Sequence, residues 1–222
     1  MSFDDAGYEI LESVIDSEEA GHLLALLSQQ QLEPLRGGIR RIEQLVPEVA
    51  ALAHSPKLLN IVQRYLSAPA QLVRAIYFDK SPSNNWLVSW HQDKTVAVSE
   101  RFEQTGWGPW SLKADVWHVQ PPLEVLEQMV TIRIHLDPAI QDNGCLKIAR
   151  GSHQFGLLAA DHVLDHIDHD QVIYCETPIG GAVMMRPLLL HASEKSITPT
   201  PRRLLHFEYS SFQLPDGIAW AA

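Results

Sequence analysis

His91-Gln92-Asp93 sets an imidazole and a carboxylate two residues apart. On an extended chain, residues i and i+2 project to the same side, so both groups can reach one point. A second histidine from another strand would complete a face of two imidazoles and one carboxylate. Such a set leaves positions open on a divalent iron and suits non-heme oxygenases. His191, just after the strand-like GGAVMMRPLLL, is the candidate third ligand. The same His-x-Asp spacing recurs at His135/Asp137 and His166/Asp168. The last of these lies in DHVLDHIDHD (161–170), whose mixed acids and imidazoles read as a solvated helix or loop. His135 ends a strand, and Asp137-Pro138 begins a turn, where aspartate serves its own backbone. Local spacing does not choose between the first and second pairs. The wider constellation does. Arg202, eleven residues after His191, opens a strand after Thr198-Pro199-Thr200-Pro201. A guanidinium there can hold a carboxylate through two parallel hydrogen bonds. Metal ligands beside a carboxylate clamp describe a 2-oxoglutarate site.

The elements that must position these groups change character along the chain. Ala20, Leu23, Leu24 and Leu27 recur with helical period after Asp16, Ser17 and Glu19, which supply a cap. Pro47–Ala53 reads as another short helix, and Ser55-Pro56 starts a third with the stripe Leu58, Leu59, Val62 and Leu66. From residue 72 the texture is that of short strands: Leu72–Phe78, Trp86–Trp90, Met129–Leu136, Cys145–Ala149, Val172–Cys175, Ala182–Met185 and Leu204–Tyr209, with Pro, Gly, Asn and Asp between them. The segment 99–122 reads as a long loop over a site. Its Trp107 and Trp110 are candidate substrate-pocket walls, with Trp117 beside them. Helices first and many short strands later predict a mainly β sandwich or barrel with helices packed outside. One domain over 1–222 is expected, with a helical layer at about 1–70 and a barrel at about 71–214.

Composition narrows the function classes. The chain has 222 residues and a net charge of −10 from 17 basic and 27 acidic residues. Its Lys/Arg clusters are never longer than a pair, which argues against nucleic acid and acidic membrane surfaces as partners. The apolar runs fall short of the ~20 residues of a membrane span. The acidic N-terminus lacks a basic-then-apolar pattern. Cys145 and Cys175 read as small buried residues, reduced in a cytoplasmic setting. A small-molecule substrate and a monomer or homodimer are the expected partners. The eleven histidines are the compositional hint of metal or proton chemistry.

The stretches FDKSPSNNW, WHQD, GWGPWS, HVQPPLE, RIHLD, DNGCLKIARGSH, MMRPLLLHAS, PRRLLHFEY and LPDG resemble the phytanoyl-CoA dioxygenase family of Fe(II)/2-oxoglutarate oxygenases. The resemblance runs from about residue 35 to the C-terminus and is strongest from Tyr77 to Tyr209. It implies a double-stranded β-helix, a jelly-roll or cupin-like barrel. It implies Fe(II) held by His91, Asp93 and His191, with 2-oxoglutarate as co-substrate and O2 as oxidant. It assigns the distal carboxylate of 2-oxoglutarate to Arg202, with Ser193 assisting and with Arg133 and Lys80 as further candidates for that pocket. The implied reaction is hydroxylation of a C–H bond with release of succinate and CO2. Asp93 fills a position that halogenating relatives leave to chloride. Strand alternation leaves two registers for Arg202-Arg203: either Arg203 faces in with Leu205, Phe207 and Tyr209, or Arg202 faces in with Leu204, His206 and Glu208. The family spacing favours Arg202. A CoA ester is a poor electrostatic match for an acidic chain with no basic groove visible in its sequence. The alternatives are a non-catalytic metal- or 2-oxoglutarate-binding protein on the same barrel and a zinc hydrolase, for which the sequence offers no general base.

Overall fold

The computed structural model describes residues 1–30, 32 and 38–222. Positions 31 and 33–37 of the expected helical layer lie outside the described residues. The helix starts follow the capping chemistry of the sequence. The Asp16 carboxylate accepts from the Glu19 amide at 2.8 Å to begin Ser17–Gln29, and Ser55 Oγ accepts from the Leu58 amide at 3.2 Å to begin Pro56–Val62. Pro47–Ala53 is helical as expected.

Among the described residues, thirteen strands form three antiparallel sheets. The largest runs in the spatial order Tyr8–Leu11, Ala182–Met185, Met129–His135, Arg202–Ser210, Gln71–Lys80 and Ile39–Arg40. A second has Val172–Cys175, Leu146–Ala149, His191–Ser193 and Val88–His91. Two of the strands, Tyr8–Leu11 and Ile39–Arg40, come from within the span read as a helical layer.

The six-stranded sheet sorts its side chains by strand alternation. Leu72, Ala75, Tyr77, Ile132, Ile134, Leu205, Phe207 and Tyr209 point outward and form one buried cluster with Leu23, Leu27, Val49 and Leu58 of the helices. The Tyr209 hydroxyl donates to the Ala53 carbonyl at 2.7 Å, which ties that face to a helix. The inner face turns toward the four-stranded sheet. At one end apolar residues of both sheets meet, with Val183 and Met185 against Leu146, Ile148 and Leu189. At the other end the two sheets line a cavity. This is the mainly β, jelly-roll type of architecture with flanking helices that the sequence led us to expect, but the barrel is not closed.

The segment 99–122 departs from its reading as a long loop. Trp110–Lys113 and Val116–Val119 form a hairpin, and Val96–Val98 pairs on its other side. Ala114 and Asp115 turn it with φ of 49° and 58°. Two successive positive φ values are the signature of a tight primed turn, a place usually held by Asn-Gly or Asp-Gly. Ala-Asp hides the turn from sequence inspection.

Candidate metal centre and its cavity

The cross-strand register brings the two histidines together. His191 lies directly opposite His91, and their rings are 4.2 Å apart between centroids. The register then slips, so that Ser193 faces Val88. Two residues, Ser89 and Trp90, therefore oppose Ala192. This is a bulge beside the site, where bulges commonly re-aim side chains. Asp93 follows the strand end, held by its amide on the Pro187 carbonyl at 2.9 Å. Its carboxylate reaches His91 Nε2 at 3.8 Å and His191 Nε2 at 3.6 Å. The intervening Gln92 is buried and points away. Its amide nitrogen donates to the carbonyls of Gly156 and Leu188 at 2.8 Å each, and its oxygen accepts from the Leu158 amide at 3.0 Å. Gln92 thus staples two loops to the ligand segment, a role the sequence did not reveal.

Each imidazole is oriented the same way. His91 Nδ1 donates to the Ser89 carbonyl at 2.9 Å, and His191 Nδ1 donates to the Leu189 carbonyl at 2.8 Å. With the proton fixed on Nδ1, both Nε2 lone pairs face the shared point, the arrangement that a metal-bound histidine adopts. Burial, then the neighbouring His91, lowers the His191 pKa to about 3, so this ring is neutral. Burial opposes ionisation of Asp93, yet His191 and His91 beside it hold its carboxyl below the usual range. One ligating atom from each of the three residues lies within 4.8 Å of the others. Two imidazoles and a carboxylate on one face fit a divalent iron that keeps open positions.

Arg202 faces into the cavity and Arg203 faces out. Arg203 is clamped by Asp137, through Nε at 2.7 Å and Nη2 at 2.8 Å. That clamp occupies the carboxylate of the second His-x-Asp pair, and His135 is buried on the other side of the strand. In the third pair, His166 ends the short helical turn Ala160–His166 and Asp168 caps the next, His169–Gln171, and the polar side chains of this segment are largely exposed. It contributes no ligand cluster among the described residues.

Arg202 is directly opposite Lys80 across the strand pair, and both are buried. Like charges facing each other this way are destabilising unless something negative lies between them. Lys80 Nζ donates to Ser193 Oγ at 2.7 Å and to the Glu194 carbonyl at 2.6 Å. Arg202 Nη2 reaches the same hydroxyl at 3.4 Å, while its Nε and Nη1 are buried without partners. Burial, with Arg202 and Arg133 nearby, pushes Lys80 down to about 7. Burial and Arg133 lower Arg202 to about 9. Ser193 Oγ donates to the Gly144 carbonyl at 2.8 Å. A Cβ at Gly144 would lie 2.4 Å from the Glu194 carbonyl oxygen, and its φ of +73° favours glycine as well.

Arg133 anchors a buried chain. Its Nη1 donates to His206 Nδ1 at 3.0 Å, and its guanidinium lies over the Phe78 ring. A guanidinium only donates, so His206 carries its proton on Nε2 and gives it to Glu208 Oε1 at 2.9 Å. Arg74 Nη2 donates to the same carboxylate at 2.6 Å.

The cavity holds about 260 Å³ and is lined by His91, Asp93, His191, Ser193 and Arg202 together with Arg133, His206, Glu208, Arg74, Arg40 and Lys113. Trp86 and Phe78 supply its aromatic walls. Trp107 and Trp110 do not line it. They pack instead with Phe102, Trp117 and Phe212 in a separate apolar cluster. The acidic sequence gave no warning that the interior is cationic.

A sequence profile of the family described as "Phytanoyl-CoA dioxygenase (PhyH)" matches residues 3–204, beginning well before the resemblance visible by eye. Phytanoyl-CoA dioxygenase domain-containing protein 1 of Danio rerio is 23% identical over 193 residues, which cover 81% of this chain. The match spans only 57% of the length of that relative. Among solved structures, the non-heme monooxygenase ThoJ in its apo form superposes with a TM-score of 0.71 at 17% identity, covering 99% of this chain and 78% of ThoJ. HygX from Streptomyces hygroscopicus with nickel and 2-oxoglutarate bound gives 0.69 at 15% identity, over 96% of this chain and 86% of HygX. SnoN, a non-heme alpha ketoglutarate dependent epimerase from nogalamycin biosynthesis, gives 0.70 at 16% identity, over 99% and 80%. At these identities the superpositions speak for the fold alone.

Proposed function

The chain belongs to the phytanoyl-CoA dioxygenase family, and from that premise we propose that it is an Fe(II)- and 2-oxoglutarate-dependent oxygenase that hydroxylates a C–H bond of a small organic substrate. One observation carries this reading: a two-histidine, one-carboxylate face with both Nε2 lone pairs free opens on the same cavity as a buried, unsatisfied arginine. His91, Asp93 and His191 would hold the metal. Arg202, with Lys80 and the Ser193 hydroxyl, would hold the distal carboxylate of 2-oxoglutarate, so that its charge relieves the opposed cations. The bound metal, with 2-oxoglutarate and O2, supplies the oxidising power, and succinate and CO2 are the by-products.

The residues of the chain orient and insulate this chemistry. The carbonyls of Ser89 and Leu189 fix the imidazole tautomers. Gln92 locks the ligand segment against the loops that carry Gly156 and Leu188. Phe78 and Trp86 keep part of the wall apolar, which limits water at the reacting centre. His206 is neutral and spoken for at both nitrogens, so it holds Arg133 and Glu208 in place rather than competing for the metal.

The test is succinate formation from 2-oxoglutarate by purified protein with Fe(II) under air, against a panel of small organic acids and amines. Succinate that requires both Fe(II) and 2-oxoglutarate, and that rises with one substrate, is the expected result. Tight binding of 2-oxoglutarate without any succinate would favour a binding protein and overturn the catalytic reading.

A further inference from the structure

The cavity has a second cationic end that the metal and 2-oxoglutarate do not use. Arg40 pairs with Ile76, and Arg74 lies two residues from Ile76 on the same strand. The two guanidiniums are therefore diagonal neighbours on the inner face. Lys113, from the hairpin of the three-stranded sheet, completes the group at the exposed rim. Arg74 gives one nitrogen to Glu208, but its Nε is buried without a partner. Among the described residues, Arg40 and Lys113 make no ion pair, and Arg40 Nε is buried and unpartnered. Burial first, then Arg74, lowers the Arg40 pKa. Burial first, then Arg40 and Arg74, lowers that of Lys113. Arg40 and Lys113 thus sit beside the Arg74 guanidinium, whose charge Glu208 balances, without a counter-charge of their own.

The two ends are separate sites. Arg202 faces Lys80 across the strand pair, and Arg74 faces Glu208 six residues along it, about 20 Å of backbone at the rise of a β-strand, with Arg133 and His206 between them. The metal cluster adjoins the second end, because Asp93 is within 4.8 Å of both His206 and Glu208, and Glu208 holds Arg74. The lining has five cations, Arg40, Arg74, Lys113, Arg133 and Arg202, against two carboxylates, Asp93 and Glu208. A divalent metal and dianionic 2-oxoglutarate cancel each other's charge, so a positive excess remains at the rim.

We propose that Arg40, Arg74 and Lys113 bind an anionic oxyacid group, a carboxylate or a phosphate, of the organic substrate, and thereby hold its carbon chain over the metal. The inference rests on the Fe(II)/2-oxoglutarate reading of the inner site. A cavity of about 260 Å³ lies just below the usual range of ligand pockets, so the part of the substrate held inside it, over the metal, is small.

Calorimetric titration of the Ni(II)- and 2-oxoglutarate-loaded protein decides this, with butanoate, inorganic phosphate and uncharged butanamide as probes. One of the two anions binds saturably and butanamide does not, and which anion binds identifies the group. Arg40→Gln weakens that binding at least tenfold and Lys113→Gln at least threefold, while 2-oxoglutarate binds both variants as it binds the wild type. Arg202→Gln shows the reverse pattern, losing 2-oxoglutarate and keeping the anion. Equal binding of butanamide, failure of both anions, or wild-type anion binding by Arg40→Gln would each overturn the proposal. If 2-oxoglutarate does not bind the wild type, the reading of the inner site falls. The anion titration of the metal-free Arg202→Gln protein then still decides the rim by itself.

Discussion

Along the strand Arg202–Ser210, the outward residues Leu205, Phe207 and Tyr209 are fully buried against helices, while the inward residues Arg202, His206 and Glu208 are nearly as buried but polar. Burial alone does not distinguish the two faces. Their partners do. The outer face is satisfied by apolar contact and one tyrosine hydrogen bond. The inner face holds a guanidinium with two unpartnered nitrogens and a chain from Arg133 through His206 and Glu208 to Arg74. Unsatisfied buried charge is costly to a fold on its own account. Under the proposed function, one side of the strand serves stability and the other serves ligand binding.

The largest effect that could break this division is at the metal face. His191→Ala or Asp93→Ala removes a ligand and should lower 2-oxoglutarate turnover by more than about a hundredfold, with circular dichroism and Tm near the wild type. A variant that unfolds instead would make these residues structural. The outer face predicts the opposite. Phe207→Ala leaves a cavity among helix and sheet side chains and should cost about 3–5 kcal/mol in denaturant unfolding, while protein kept below its lowered Tm binds metal normally.

Neighbouring arginines sharpen the contrast within a single dipeptide. Arg202→Gln should raise the 2-oxoglutarate KM at least about tenfold, since a charged hydrogen bond to the carboxylate is lost. Arg203→Gln loses a largely buried, bidentate pair with Asp137 on the outer side of the strand, away from the cavity lining, and should leave that KM unchanged. The alternation that separates these residues was legible in LLHFEY, and the sequence reading left the choice of register to family spacing. The two-histidine pairing was less legible. His91 and His191 are a hundred residues apart, and the bulge at Ser89 and Trp90 leaves no composition signal. The rim cations were not legible at all. Arg40 sits on a two-residue strand, Arg74 on the strand Gln71–Lys80, and Lys113 on a hairpin whose Ala114-Asp115 turn lacks a glycine. Only pairing between distant segments assembles them. Trp107 and Trp110 mark the converse limit, because aromatic residues beside a site serve a core as readily as a pocket.

The smallest effect concerns pH. Burial, with Arg202 and Arg133 nearby, sets the folded Lys80 pKa to about 7, below the ~10.4 of an unfolded lysine. Between those values the unfolded chain binds the extra proton, so the apo protein should gain stability as the pH rises from about 7 towards 10. Thermal unfolding at pH 7 and pH 9 measures the slope. Lys80→Met should flatten it, and so should loading with metal and 2-oxoglutarate, whose negative charge favours the protonated lysine. An unchanged slope in Lys80→Met would remove Lys80 from the inner site.

The central claim is that His91, Asp93 and His191 hold one ferrous ion on which 2-oxoglutarate can bind. Anaerobic titration of the protein with Fe(II) in the presence of 2-oxoglutarate tests it directly by visible absorption. A weak charge-transfer band that saturates at one iron per chain, and that is absent from folded His191→Ala, is the predicted result. The same band with the same stoichiometry in His191→Ala would contradict the account.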